Sequence, residues 1–168
     1  MRYSEKEIEK RAKLDFKLNK EIIAAFKRKP PKNLDELFQS AHDKAFKKIN
    51  CLDCGNCCRS LGPRLNAADI ERLAKYLRMK TAGFIDSYLR VDEDGDHVFK
   101  EMPCPFLGSD NKCSVYEHRP RACKEYPHTD RKKMDHVLDL TLKNTYVCPA
   151  VTDILLDLRI WKAQNRKD

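Results

Sequence analysis

A chain of 168 residues, 36% charged and 41% hydrophobic, holds material for one domain, or one domain with an arm, and a modest core. No apolar run approaches the length of a membrane helix, and the opening Met-Arg-Tyr-Ser-Glu-Lys-Glu lacks the apolar stretch of a secretory signal. The reading is a cytoplasmic protein with no membrane partner.

The net charge of +8 is unevenly placed: residues 1–50 carry 14 Lys and Arg against 8 Asp and Glu, and the rest carry 20 against 18. Residues 4–28 are dense in charge, with Ile8, Leu14, Leu18, Ile22, Ile23 and Phe26 at roughly helical spacing. Pro30-Pro31 stops that helix, because neither residue supplies an amide proton and each disfavours helical backbone before it. Asn33 is expected to cap a second helix with Leu34, Leu37, Phe38, Ala41, Ala45 and Ile49 on its apolar face. Residues 1–49 therefore read as a basic helical arm, a helical hairpin, ahead of a cysteine-cluster domain over 50–168. Such an arm is a candidate surface for nucleic acid or another acidic partner, including a protein. Its interleaved glutamates and the absence of aromatic–basic alternation favour a solvated face instead.

Beyond the first cysteines, Asn66 is expected to cap a helix over 67–79, with Ile70, Leu73, Ala74 and Leu77 inward. Thr81 is expected to cap a short helix bearing Phe84, Ile85, Tyr88 and Leu89. Asp92-Glu-Asp-Gly-Asp96 reads as the turn of a small hairpin ending at Val98-Phe99. It lacks the terminal glutamate and the spacing of a calcium loop. Gly108 and Asp110-Asn111 mark a turn that returns Cys113 toward Cys104, and Arg119-Pro120 opens a helical turn that presents Cys123. A helix is expected near 134–143 and a last one over 150–164. In the last, Val151, Ile154, Leu155, Leu158 and Trp161 form the buried stripe, and Lys162, Arg166 and Lys167 suit the C-terminal end. The fold class that follows is mainly α, with an irregular, loop-rich cysteine core and at most a small β-hairpin.

Eight cysteines organise this pattern. Cys51, Cys54, Cys57 and Cys58 fall within eight residues, and Cys104, Cys113, Cys123 and Cys148 follow. Two residues between thiols let both sulfurs turn toward one point, as a tetrahedral zinc or an iron–sulfur cluster requires, and Gly55 permits the tight path between them. In a reducing compartment such a set binds metal more readily than it forms disulfides. Neighbouring side chains diverge, so Cys57 and Cys58 are expected to serve different sites. Eight thiols divide into two four-thiolate sites or one multinuclear centre. The Cys-Pro dipeptides at 104–105 and 148–149 and the C-x2-C-x2-C run resemble bacterial ferredoxin spacing, but Cys58 follows Cys57 directly. Zinc and iron–sulfur both stay open.

His118 and His128 lie near enough in sequence to replace a thiolate, though with eight cysteines available they read as surface or neighbouring groups. No P-loop, dinucleotide glycine motif, serine elbow or HExxH helix is present. A nucleophilic Cys123–His128 pair is a lesser alternative to metal ligation.

The run Cys51-x2-Cys54-x2-Cys57-Cys58, then Cys104-Pro-Phe-Leu, then Cys113-x2-Tyr116-x2-Arg119-Pro120-x2-Cys123 and Pro127, resembles the YkgJ-type cysteine-cluster family, described as a CxxCxxCC zinc- or iron-chelating domain. The resemblance spans residues 50–150 and implies that all eight cysteines, Cys148 included, chelate metal. A similar pattern occurs in the bacterial flagellin lysine methylase, which implies that such a module can accompany chemistry on proteins. Nothing else in this chain looks like a methyl-donor site. The leading expectation is a metal that mainly organises the fold. The alternatives are an iron–sulfur redox protein or enzyme and a nucleic-acid-binding module acting through the arm.

Overall fold

The structure, a computed structural model, describes residues 4–165. Its residues are mainly helical: nine α-helices, two 3-10 turns and one two-stranded sheet among the described residues. The chain divides into two compact units, one made of the residues up to Cys54 and from Pro127 onward, the other of Gly55–Tyr126.

The first unit is a helical packing. Helix α1 (Glu5–Arg28) starts where Ser4 Oγ accepts the Glu7 amide at 3.3 Å and the Glu7 carboxylate accepts the Ser4 amide at 2.8 Å. This reciprocal cap satisfies two donors that the first turn would otherwise leave unpaired. Glu5 and Glu7 at its start and Lys27 and Arg28 at its end suit the helix dipole. Its buried face is Ile8, Ala12, Asn19, Ile22, Ile23 and Phe26. Leu14 and Leu18, expected on that face, point to solvent at 74% and 50% exposure. They lie off the stripe that Ile8, Ala12 and Asn19 define at successive helical turns.

Helix α2 (Leu34–Phe46) buries Leu34, Phe38, Ala41 and Ala45. Asn33 holds the N-cap position but its side chain makes no capping bond. Asp35 acts two residues farther in, its carboxylate accepting the amides of Lys133 and Met134 at 2.8 and 2.9 Å. Helix α3 (Cys51–Cys54) closes this segment, its start held by Asn50 Oδ1, which accepts the Leu52 amide at 3.0 Å.

The chain re-enters the unit at Pro127. A 3-10 turn over Met134–Val137 leads directly into helix α8 (Leu138–Asn144), where a single helix near 134–143 was expected. Helix α9 (Pro149–Gln164) packs against both α1 and α2. It buries Ala150, Val151, Ile154, Leu155 and Leu158, and Trp161 meets Phe26 at a ring-centroid distance of 6.4 Å. The Phe26 ring in turn meets Phe38 edge-on at 6.5 Å. Around this core Arg11–Asp153 (2.5 Å), Lys27–Asp139 (2.8 Å), Lys44–Asp157 (2.8 Å) and Arg159–Asp15 (3.3 Å) tie the N-terminal helices to the C-terminal ones. Such partly exposed pairs contribute about 0–1 kcal/mol each, so the apolar seam does most of the holding. Lys162 lies in the last turn of α9 as expected, while Arg166 and Lys167 lie outside the described residues.

The second unit is smaller and looser in regular structure. Helix α4 (Asn56–Ser60) begins after Gly55, whose φ of 59° is the left-handed conformation that glycine adopts without penalty. Helix α5 (Ala67–Tyr76) carries the expected Asn66 cap, Oδ1 accepting the Asp69 amide at 2.9 Å. Helix α6 (Thr81–Tyr88) starts one residue earlier than expected, with Lys80 at the cap position and Thr81 already helical. Strands β1 (Leu89–Val91) and β2 (His97–Phe99) pair antiparallel, Leu89 opposite Phe99. Their turn is fixed by Asp92 Oδ1, which accepts the Asp94 and Asp96 amides at 3.0 and 2.9 Å. A core of Leu65, Ile70, Leu73, Phe84, Leu89, Phe99, Phe106 and Val115 holds these pieces. Helix α7 (Arg121–Glu125) is its last element.

Asn19 is fully buried in α1, and neither end of its amide has a hydrogen-bond partner among the described residues. An unpaired buried amide costs about 1–3 kcal/mol. Asn19→Leu should therefore raise the denaturant midpoint of the protein, by an amount equivalent to about 1 kcal/mol or more. Leu14→Ser should leave it unchanged within about 0.5 kcal/mol, and Phe38→Ala should cost about 3–5 kcal/mol. A loss of stability in the Asn19→Leu protein would show that the amide is bonded after all.

Candidate metal centre

All eight cysteines are free thiols. Three lie in the first unit and five in the second.

In the second unit, four separate segments supply Cys58, Cys104, Cys113 and Cys123. Cys58 lies on α4 and its carbonyl accepts the Cys104 amide at 2.8 Å, which ties the start of the later loop to that helix. Cys104 and Cys113 flank a turn. There the Gly108 amide reaches the Lys112 carbonyl at 2.8 Å, the Asn111 amide reaches Gly108 at 3.0 Å, and Leu107 bridges Cys113. This is the return that Gly108 and Asp110-Asn111 foretell in the sequence. Asn111 takes a positive φ of 68°, and its side-chain oxygen accepts from the Arg59 guanidinium. Cys123 comes from α7.

Two residues fix the approach to Cys123. Asp69, on α5 and 2% exposed, accepts the Arg121 amide at 3.0 Å and pairs with Arg72. Arg72 also donates to the carbonyls of His118 at 3.2 Å and Arg119 at 3.0 Å. The segment that delivers Cys123 is thus fastened to α5 by a carboxylate and a guanidinium. Sequence reading passes over both. The signal for Asp69 was present, because an Asp three residues after a capping Asn completes a reciprocal cap.

The sulfurs of this unit sense one another. Burial pushes the Cys123 thiol up to about 12, and Cys58, Cys104 and Cys113 add to the rise. Cys104 rises to about 11, again chiefly from burial, opposed by the amides of Phe106 and Leu107, which donate toward its sulfur. Cys113 is raised by burial against a donating Val115 amide and the nearby Arg119 charge. Cys58 moves the other way, down to about 7, because the Cys57 thiol donates to it across 4.0 Å and Arg59 adds positive charge. Amide donors aimed at sulfur and two nearby guanidinium groups are what a thiolate centre needs, since four thiolates around a divalent ion leave two uncompensated negative charges.

In the first unit, Cys51 and Cys54 sit at the two ends of α3 and Cys148 at the N-terminus of α9. Burial pushes Cys148 up to about 12, with Cys51 and Cys54 adding to it, while the Val151 and Ala150 amides donate to its sulfur and oppose the rise. His118 stacks on Tyr76 at 4.2 Å, and His42 Nδ1 contacts Thr129 Oγ1 at 2.9 Å.

Among the described residues, no three Cys, His, Asp or Glu side chains are drawn tightly enough to hold an ion as they stand. The neighbourhoods still fit a soft metal in the chemistry of their donors: clustered thiols, amides directed at sulfur, and arginine charge beside them. No described helix is long and apolar enough to cross a membrane.

A family model described as "CxxCxxCC: Putative zinc- or iron-chelating domain" matches residues 50–149, more than half of the chain. No curated protein matches the chain, and no solved structure does.

Two outcomes follow. Asp69→Ala frees the Arg121 amide and leaves Arg72 uncompensated, which should destabilise the second unit by about 1–3 kcal/mol. Hydrogen exchange should show the loss at residues 118–126 first, and unchanged protection there would contradict the fastening role. The second outcome concerns pH. A group whose pKa is higher folded than unfolded contributes stability below the unfolded value and loses it as pH climbs through the folded one. Metal-free protein should therefore lose stability from its ordinary thiol value of about 9 up to about 12. Cys123→Ala should lose less over the same range, read as denaturant midpoint against pH.

Proposed function

The chain belongs to the CxxCxxCC zinc- or iron-chelating family, and from that premise we propose that Cys58, Cys104, Cys113 and Cys123 form a metal–thiolate centre whose metal mainly organises Gly55–Tyr126. The observation that carries this reading is that backbone bonds tie Cys104 to Cys58 at 2.8 Å and fold Cys113 back toward Cys104 through the Leu107–Cys113 bridge, while Asp69 fastens the segment that delivers Cys123 in the same unit. Covalent chain connects these segments only at a distance, and the regular structure between them is short helices and one small hairpin. A bound metal supplies the cross-link, and for structural zinc the binding energy is folding energy on the order of 10 kcal/mol.

Zinc and iron are both within the donor set. A closed four-thiolate zinc would be structural, whereas an iron–sulfur cluster would add electron transfer and bring the redox or enzymatic reading forward. The reading places the chain in a reducing, cytoplasmic compartment, where clustered thiols bind metal more readily than they form disulfides, and keeps the YkgJ-type assignment within the family. The basic N-terminal helices read as scaffold: Arg11, Lys27 and Lys44 spend their charge on Asp153, Asp139 and Asp157. These pairs favour a scaffold role over the alternative of a nucleic-acid surface.

The test is metal content and exchange protection in Cys104→Ala and Cys123→Ala protein. Both should lose metal together with the slow-exchanging amides around Leu73, Phe84 and Phe99. Full metal and native protection in either variant would overturn the centre.

A further inference from the structure

Large apolar side chains stand in solvent on α1 and α9, both within the first unit. Leu14 and Leu18 are 74% and 50% exposed, and Leu156 and Ile160 are 38% and 45% exposed. Leu14 and Leu18 follow Arg11 by three and seven residues, so they share its side of α1. Leu156 and Ile160 follow Asp153 at the same intervals on α9. The Arg11–Asp153 pair at 2.5 Å therefore brings the two faces to one edge, and Asp15–Arg159 at 3.3 Å holds that edge one turn on. Single exposed leucines are ordinary, but a group on adjoining faces forms a patch that marks a contact surface.

The charges beside the patch say what fits it. Along α1 one side reads Lys10, Leu14, Leu18, Glu21, at steps of four, four and three residues. Lys10 and Glu21 are exposed and have no ion pair among the described residues, whereas their neighbours Arg11, Lys13 and Asp15 are paired. A stripe with one basic end, one acidic end and leucines between them is complementary to itself when reversed. With two copies of α1 antiparallel and Leu14 of one facing Leu18 of the other, Lys10 falls beside Glu21 of the second copy. A two-fold axis makes that contact twice. A partner of a single charge sign would leave one end of the stripe unmatched.

We propose that this face joins two copies of the chain, the α1 helices crossing antiparallel at Leu14 and Leu18 with Leu156 and Ile160 at the flank of the contact. The patch is smaller than a permanent interface requires, so the dimer is weak and reversible, with a dissociation constant on the order of 10 µM. The contact uses no cysteine and is independent of the metal centre.

The experiment is sedimentation velocity of the full chain under reducing conditions, from about 1 µM to about 300 µM, a span that brackets such an affinity. A monomer–dimer equilibrium is expected. Leu14→Ser should weaken it about tenfold or more. Lys10→Glu or Glu21→Lys alone should weaken it about threefold or more. Both exchanges in one chain should restore it, because the contact is remade with its signs reversed. Circular dichroism at the lowest concentration should be native for every variant, since none of these side chains is buried. A chain that stays monomeric at every concentration would overturn the proposal. So would a dimer indifferent to Leu14→Ser, a double exchange that recovers nothing, or association that continues past two copies.

Discussion

A buried thiol ionises only if something takes its charge, and that constraint governs how this chain is built. Cys104, Cys123 and Cys148 are all driven upward by burial, to about 11, 12 and 12, although amides already donate to two of those sulfurs. Amide donors are placed for thiolates, while the surroundings resist thiolates until a cation arrives. A soft metal resolves the conflict, and chelation by the family to which the chain belongs is the same statement in chemical terms.

Each unit answers the constraint with different material. The first has an apolar seam of α1, α2 and α9 centred on Phe26, Phe38, Ile154 and Leu155, which stands on burial alone. The second has a smaller core around Phe84, Phe99 and Phe106, and it relies on specific polar fastenings such as Asp69 and Arg72 to bring α7 into place. Structural metal has most to contribute there, where the elements are short and the loops long.

Much of the fold was legible because the informative residues act locally. The Asn66 cap, the Asp92–Gly95 turn and the stripe of α9 depend on neighbours a few positions away, and the structure has them where the sequence puts them. Leu14 and Leu18 misled because α1 carries more leucine than its buried face needs, and that face includes a polar residue, Asn19. Asn33 and Thr81 misled by one position or one function, since a capping residue type does not guarantee a capping bond. The chelating family was legible from the cysteine run and its spacing. The way Cys104 is tied to Cys58, and Cys113 folded back toward Cys104, was legible only in part, because the first of these contacts spans a long sequence separation. The expectation that the adjacent Cys57 and Cys58 side chains diverge did not hold, since their sulfurs lie 4.0 Å apart on the short helix α4.

The most direct measurement is X-ray absorption at the metal edge of protein purified without oxygen. The account predicts a bound zinc or iron whose nearest shell is sulfur, at about 2.3 Å if the metal is zinc. A first shell of oxygen and nitrogen, or well-folded protein with no metal at all, would contradict it.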